Sequence, residues 1–269
     1  MNDNPLLLLI LAIFPIIILA TYVYKKDIHK ESKKILISLF IGGIVSCILT
    51  LILTGILQNI IPFFARDISS LNLTEKLLYI FIEIALIEEF SKWLICYIFS
   101  FNSKEFDETF DAIVYCGFVA LGFAIFENIL YVLQNGYTTG ILRALTAVPG
   151  HLCFGVAMGY YFALAKESQI INNNNYKISY LLYSILFPTL LHGLYDYLIF
   201  SQIDLLSLLF YVFISILIVL SFYKISKLSK NNNLFNLNLK NNKIVTKCLS
   251  CNYESNGNYC PKCGKKLNK

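Results

Sequence analysis

The stretch PLLLLILAIFPIIILATYVY, residues 5–24, carries no charged side chain from one end to the other. At 1.5 Å rise per residue, about 20 helical residues cross the ~30 Å hydrocarbon core of a bilayer. Further runs of this kind follow at about 35–57, 77–101, 109–134, 141–166, 177–200 and 205–223. The chain of 269 residues is 57% hydrophobic and 14% charged, more apolar sequence than a soluble core of that size can enclose. Apolar runs of this length read as spanning helices, so the expected fold is all-α, a polytopic bundle of seven spans. The first run has no basic residues ahead of it and no small-residue cleavage site before Tyr22 and Lys25, so it is read as a retained span.

Orientation follows from the basic residues. With the N-terminus outside, the inner loops hold Lys25, Lys26, Lys30, Lys33, Lys34, Lys104, Lys166, Lys177, Lys224, Lys227 and Lys230. The outer loops then hold only Arg66, Lys76 and Arg143. Cytoplasmic loops are enriched in Lys and Arg, so the expectation is N-terminus out and C-terminus in. The net charge of +5 is thereby accounted for by topology and tail, and no nucleic-acid partner is expected.

The expected organisation is a membrane domain over 1–223, a polar, Asn- and Lys-rich linker over 224–246, and a short tail over 247–269. The tail reads CLSCNYESNGNYCPKCGKK, with Cys248, Cys251, Cys260 and Cys263 in two Cys-x2-Cys pairs. Two such turns aim four thiolates at one point, the geometry of a structural Zn²⁺ ribbon, and metal binding would supply the folding free energy of so short a segment. Cys47, Cys96, Cys116 and Cys153 lie singly within spans and read as small packing residues.

The third span breaks its own pattern. LIEEFSKW puts Glu88, Glu89 and Lys92 inside an apolar helix. Insertion scales charge ~2.5–3.5 kcal/mol for one ionised residue at the helix centre, so three cost on the order of 8–10 kcal/mol. Spacings of three and four bring Lys92 to the same face as both carboxylates. A buried ion pair that only specifies packing would look the same, but other spans carry polar groups too. LGFAIFENIL places Glu127 and Asn128 in the fourth, PGHLCFGVAMG places His151 in the fifth, and LLHGLYDYL places His192 and Asp196 one turn apart in the sixth. Counted from the outer ends, Glu88, Glu127 and His192 fall roughly 10–17 Å deep and His151 similarly, which predicts one shared site rather than separate ion pairs. Gly155 and Gly159, a small-xxx-small pair, predict close helix approach beside it, and Pro188 predicts a bend ahead of His192.

Carboxylates and imidazoles in a partly dry cavity can activate water: one carboxylate as general base, with a histidine facing the oxyanion. Glu127, His151 and His192 as Zn²⁺ ligands with Glu88 as the base is a second arrangement with the same residues. Buried Glu and His chains also carry ions in transporters, and a non-catalytic scaffold acting through the tail is a third reading.

In order along the chain, Glu88-Glu89-x-x-Lys92, Phe123-x-x-x-Glu127, His151-x-x-x-Gly155 and His192-x-x-x-Asp196 resemble the motif series of the PrsW family of intramembrane proteases, over about residues 75–200. That family is similar to the wider group of prenyl-protein endopeptidases and bacteriocin-processing membrane proteases. The resemblance implies hydrolysis of a peptide bond in a membrane-anchored, regulatory protein on the extracytoplasmic side. It implies Glu88 as the water-activating base beside Glu89, Glu127 and His151 completing a water or metal site, and His192, its ring held by Asp196, facing the oxyanion. Lys92 and Asn128 are supporting residues. Both a metal-dependent and a metal-free glutamate mechanism are compatible with it, and the metal-free one is the expectation.

Overall fold

The computed structural model describes residues 4–232, together with the strands β1 (Thr246–Lys247) and β2 (Glu254–Ser255). The protein is an all-α, multi-pass membrane bundle. Its helices are α1 (Pro5–Lys26), α2 (Lys33–Ile60), α3 (Leu73–Tyr79), α4 (Ile87–Cys96), α5 (Asp111–Leu145), α6 (Ala147–Ile170), α7 (Asn174–Phe200) and α8 (Asp204–Lys230). Five helical stretches among the described residues are long and apolar enough to cross a membrane; one of them is the joined stretch Asp111–Ile170. α8 continues to Lys230, beyond the expected end of the membrane domain at 223. The tail strands pair antiparallel, Thr246 opposite Ser255 and Lys247 opposite Glu254; Cys248, Cys251, Cys260 and Cys263 lie outside the described residues.

α5 is the central helix. From Asp111 to Ala124 it is buried along almost its whole circumference, packed against α1, α2 and α6. Small side chains permit this. A Cβ on Gly159 would come 2.6 Å from the backbone oxygen of Ala112, and one on Gly155 would come 2.9 Å from that of Cys116. The two glycines expected to draw helices together are therefore where the α5 and α6 backbones nearly touch. Outward-facing residues such as Leu51, Ile98, Leu182 and Val219 are exposed, as lipid-facing positions of a membrane bundle are.

Two local departures from regular helix shape the polar interior. Wide π-helical turns flank α4, Ile80–Leu86 before it and Tyr97–Phe101 after it, so that Leu73–Phe101 is helical throughout but locally unwound. Such turns re-aim the side chains beyond them. The second departure is Gly136, whose φ of 78° and ψ of −164° break α5 into two arms. Positive φ is accessible to glycine without steric cost, and the second arm folds back along the first. Arg143, on the returning arm, reaches Glu127 and Asn128 on the outgoing one. The fifth span, expected from about 141, thus consists of this return arm followed by α6 from Ala147.

The lysine-bearing loops meet at one end of the bundle. His29 contacts Glu108, the Ser32 amide donates to Glu105, and Lys166 donates to the Phe101 carbonyl. At the opposite end Lys76 donates to the Phe200 carbonyl and Arg66 pairs with Glu75.

Candidate active site

The polar residues picked out of apolar spans come from four helices, and the packing of α4, α5, α6 and α7 brings them together. Glu88, Glu89 and Lys92 occupy α4 immediately after the π-turn. Glu127 and Asn128 lie on the outgoing arm of α5. His151 is in the second turn of α6, which starts at Ala147 and runs through Pro149 and Gly150. His192 and Asp196 lie one turn apart on α7, beyond the buried Pro188.

Lys92 is the hub, with its side chain 1% exposed. Its ammonium donates to Glu89 Oε1 at 2.7 Å, to His151 Nδ1 at 3.2 Å and to Glu88 Oε2 at 3.3 Å. Three N–H donors thereby meet three acceptors. The Phe123 ring lies 3.9 Å from Nζ, adding a cation–π contact. Because His151 Nδ1 accepts from an ammonium, its proton belongs on Nε2, which donates to Glu127 Oε2 at 2.8 Å. Arg143 donates to that same oxygen at 2.7 Å and to Asn128 Oδ1 at 2.8 Å, while Asn128 anchors the outgoing arm through the Ala12 carbonyl.

His192 stands between carboxylates. Its Nδ1 is 2.9 Å from Glu89 Oε1, and its Nε2 is 3.3 Å from Asp196 Oδ2 and 3.9 Å from Glu88 Oε2. Glu89, more than Asp196, fixes the ring, and Phe154 stacks on it with centroids 4.8 Å apart. The imidazoles of His151 and His192 meet edge to face at 5.6 Å.

These groups border a cavity of about 370 Å³ lined by Glu88, Glu127, Arg143, His151, His192 and Asp196 among others. Glu89 and Lys92 do not line it. The Glu88 side chain is 12% exposed and that of Glu89 0%, so Glu88 is the carboxylate presented to whatever enters. The adjacent glutamates therefore divide their work. One faces the cavity; the other holds Lys92 and His192 from behind.

From sequence alone Arg143 reads only as a charge in an outer loop. The signal that could have found it is Asn135-Gly136, a turn dipeptide inside an otherwise helical pattern, which announces that the chain reverses. Once it reverses, an arginine seven residues on faces the Glu127-Asn128 pair nine and eight residues back.

Among the described residues, the group with ligand atoms within 4.8 Å of one another, close enough to hold a metal ion, is Glu88, Glu89 and His151. The set Glu127, His151 and His192 is not such a group among the described residues, and Glu127 Oε2 accepts from Arg143 and His151.

Residues 31–222 match the model of the family described as PrsW family intramembrane metalloprotease. The chain is 34% identical over 220 residues to the Protease PrsW of Oceanobacillus iheyensis, covering 81% of this chain and 94% of that one. It is 31% identical over 226 residues to the Protease PrsW of Clostridioides difficile, covering 82% and 90%. The Protease PrsW of Geobacillus kaustophilus is 48% identical over 122 residues, 45% of this chain and 52% of that relative. No solved structure matches. The chain belongs to the PrsW family of intramembrane proteases.

Proposed function

We propose that the protein hydrolyses a peptide bond of a membrane-anchored protein, using the Glu88, Glu127, His151 and His192 cluster as its active site. The observation that carries this is the meeting of four polar residues from four helices around one cavity. Glu88 takes a proton from a water molecule, and the oxygen adds to the carbonyl carbon as the carbonyl π pair moves onto its oxygen. The Nε2–H of His192, which without substrate faces Asp196 and Glu88, turns to donate to that oxyanion. Collapse breaks the C–N bond, and the proton held on Glu88 passes to the departing amine. Glu89 and Asp196 hold the His192 ring, while His151 and Glu127 order the water beneath the substrate carbonyl. Asn128 keeps the outgoing arm in place.

The lysine-rich end would face the cytoplasm, which puts the cavity toward the outer leaflet and the N-terminus outside. Leu142, Ile199 and Tyr211 line the cavity and are about half exposed, an apolar border suited to a substrate segment that arrives from lipid. The tail is proposed to bind Zn²⁺ through Cys248, Cys251, Cys260 and Cys263 on the strength of their spacing, and it stands outside the family match.

The deciding experiment is reconstitution in liposomes with single-span candidate substrates. Wild type should cleave; Glu88→Gln and His151→Ala should not. Cleavage that survives both substitutions removes the chemistry from this site.

A further inference from the structure

The family description implies a metal ion, and Glu88, Glu89 and His151 are the residues that could hold one. We infer that Lys92 supplies the fixed cation at this position, so that the three residues serve as a cradle for an ammonium and not as a metal centre. Lys92 Nζ lies 2.7, 3.3 and 3.2 Å from one donor atom of Glu89, Glu88 and His151 in turn. Zinc draws carboxylate and imidazole donors to about 2.0–2.2 Å. The distances here are those of N–H hydrogen bonds, and each of the three ammonium protons has its acceptor. A divalent ion placed among these residues would meet the ammonium at close range, with Nζ buried and no solvent into which it could withdraw.

The other bonds agree. His151 presents Nδ1 to Lys92 and engages Glu127 through Nε2, so both of its ligating nitrogens are spoken for. His192 likewise has a carboxylate at each nitrogen. Among the described residues the buried Glu89 Oε2 has no hydrogen-bond partner, but one leftover acceptor calls for one donor, not for the three or four ligands that a zinc ion gathers. Lys92 thus acts as a positioning residue. It neutralises two adjacent carboxylates, keeps Glu88 turned toward the cavity, and fixes the His151 tautomer that faces Glu127.

This inference shares the active site of the protease reading, but its primary test needs no substrate. The full-length chain and a form with all four tail cysteines changed to serine would be purified in detergent, and bound metal measured by elemental analysis. The expected result is one zinc per chain in the first and no stoichiometric metal in the second. One metal ion per chain persisting in the serine form, and lost on Glu88→Gln, would overturn the inference whether or not a substrate is known. With an active substrate, chelator should leave cleavage by the serine form unchanged; loss of cleavage that added Zn²⁺ restores would also overturn it. Lys92→Met should lower cleavage on the order of 10- to 100-fold and, in the serine form, open the cradle to Co²⁺, read by its visible absorption. Lys92→Arg should recover part of the activity and, in the serine form, take up no cobalt. Equal cobalt binding by the serine form with and without Lys92→Met would again contradict the assignment.

Discussion

Among the described residues, buried carboxylates gather in two clusters, and one of the two has the makings of a catalyst. At the lysine-rich end, Asp27, Glu31, Glu108 and Asp111 are all buried. Their partners belong to the scaffold. Asp111 Oδ2 accepts from the amides of Asp107 and Glu108, Asp27 Oδ2 from the amide of Glu31, and Glu31 from the hydroxyl of Tyr115. Asn232, just after α8, ties Glu108 to the Phe110 amide. In the membrane cluster the partners are a lysine, an arginine and two histidines, and a cavity lies beside them. Buried acid alone therefore does not mark a site. Acid held by buried lysine, arginine and histidine next to a cavity is the stronger pointer; at the other cluster backbone amides, Tyr115, Asn232 and the exposed His29 hold the acids as a joint between loops.

The two histidine environments give the sharpest contrast. His192 is buried between carboxylates, whereas His29 is 72% exposed and touches only Glu108 among the described contacts. His192→Ala should lower cleavage by about 10²- to 10³-fold, as loss of an oxyanion donor does, and His29→Ala should leave the rate near wild type. Equal effects in a liposome cleavage assay would erase the distinction between the two regions.

Arg143 comes next. Removing it leaves Glu127 with His151 alone and frees the return arm of α5 from Asn128. Arg143→Gln is expected to cost about 10- to 100-fold in cleavage. A change confined to thermal stability would move Arg143 into the scaffold class.

At the other cluster, Asp111→Ala should act the opposite way. It strips the acceptor from two amides ahead of α5, a loss of about 1–2 kcal/mol in stability, while the folded protein cleaves at nearly the normal rate. Comparing the unfolding midpoint with initial rates separates the two.

The smallest effect concerns pH. Burial pushes the Glu31 carboxyl, in the loop between α1 and α2, up to about 7, with Asp27 and Glu105 pushing the same way and the bonds from Tyr115 and Asp111 opposing. A carboxyl raised on folding holds its proton more tightly in the folded chain. Its contribution is thus complete below about 4.5 and is lost as pH rises through about 7. Glu31→Gln should flatten the decline in stability between pH 5 and 8 by about 1 kcal/mol; an unchanged profile would show that the proton is held elsewhere.

Much of the membrane site is legible in the chain because an ionised or imidazole side chain stands out in a run of Leu, Ile and Phe. Glu88, Glu127, His151 and His192 are each visible in this way, and equal depth is enough to suggest that they meet. The partition between Glu88 and Glu89 is not visible, because adjacent residues point about 100° apart on a helix and the π-turn before α4 sets which one faces the cavity. Two of the Lys92 contacts follow from helical spacing; the third, to His151, is tertiary. Arg143 is hidden by the reversal at Gly136. The scaffold cluster is less legible: Asp111 accepts from the amides of Asp107 and Glu108 in the loop before α5, and the participation of Glu31, Tyr115 and Asn232 depends on loops meeting across the bundle.

The most direct measurement sets one glutamate from each region side by side: Glu88→Gln and Glu108→Gln, reconstituted with the same single-span substrate, each losing one carboxylate and little volume. Cleavage should fall by about 10²- to 10⁴-fold in the first, the worth of a general base, and stay close to wild type in the second. Wild-type cleavage by Glu88→Gln, in protein shown to be folded, would contradict the account.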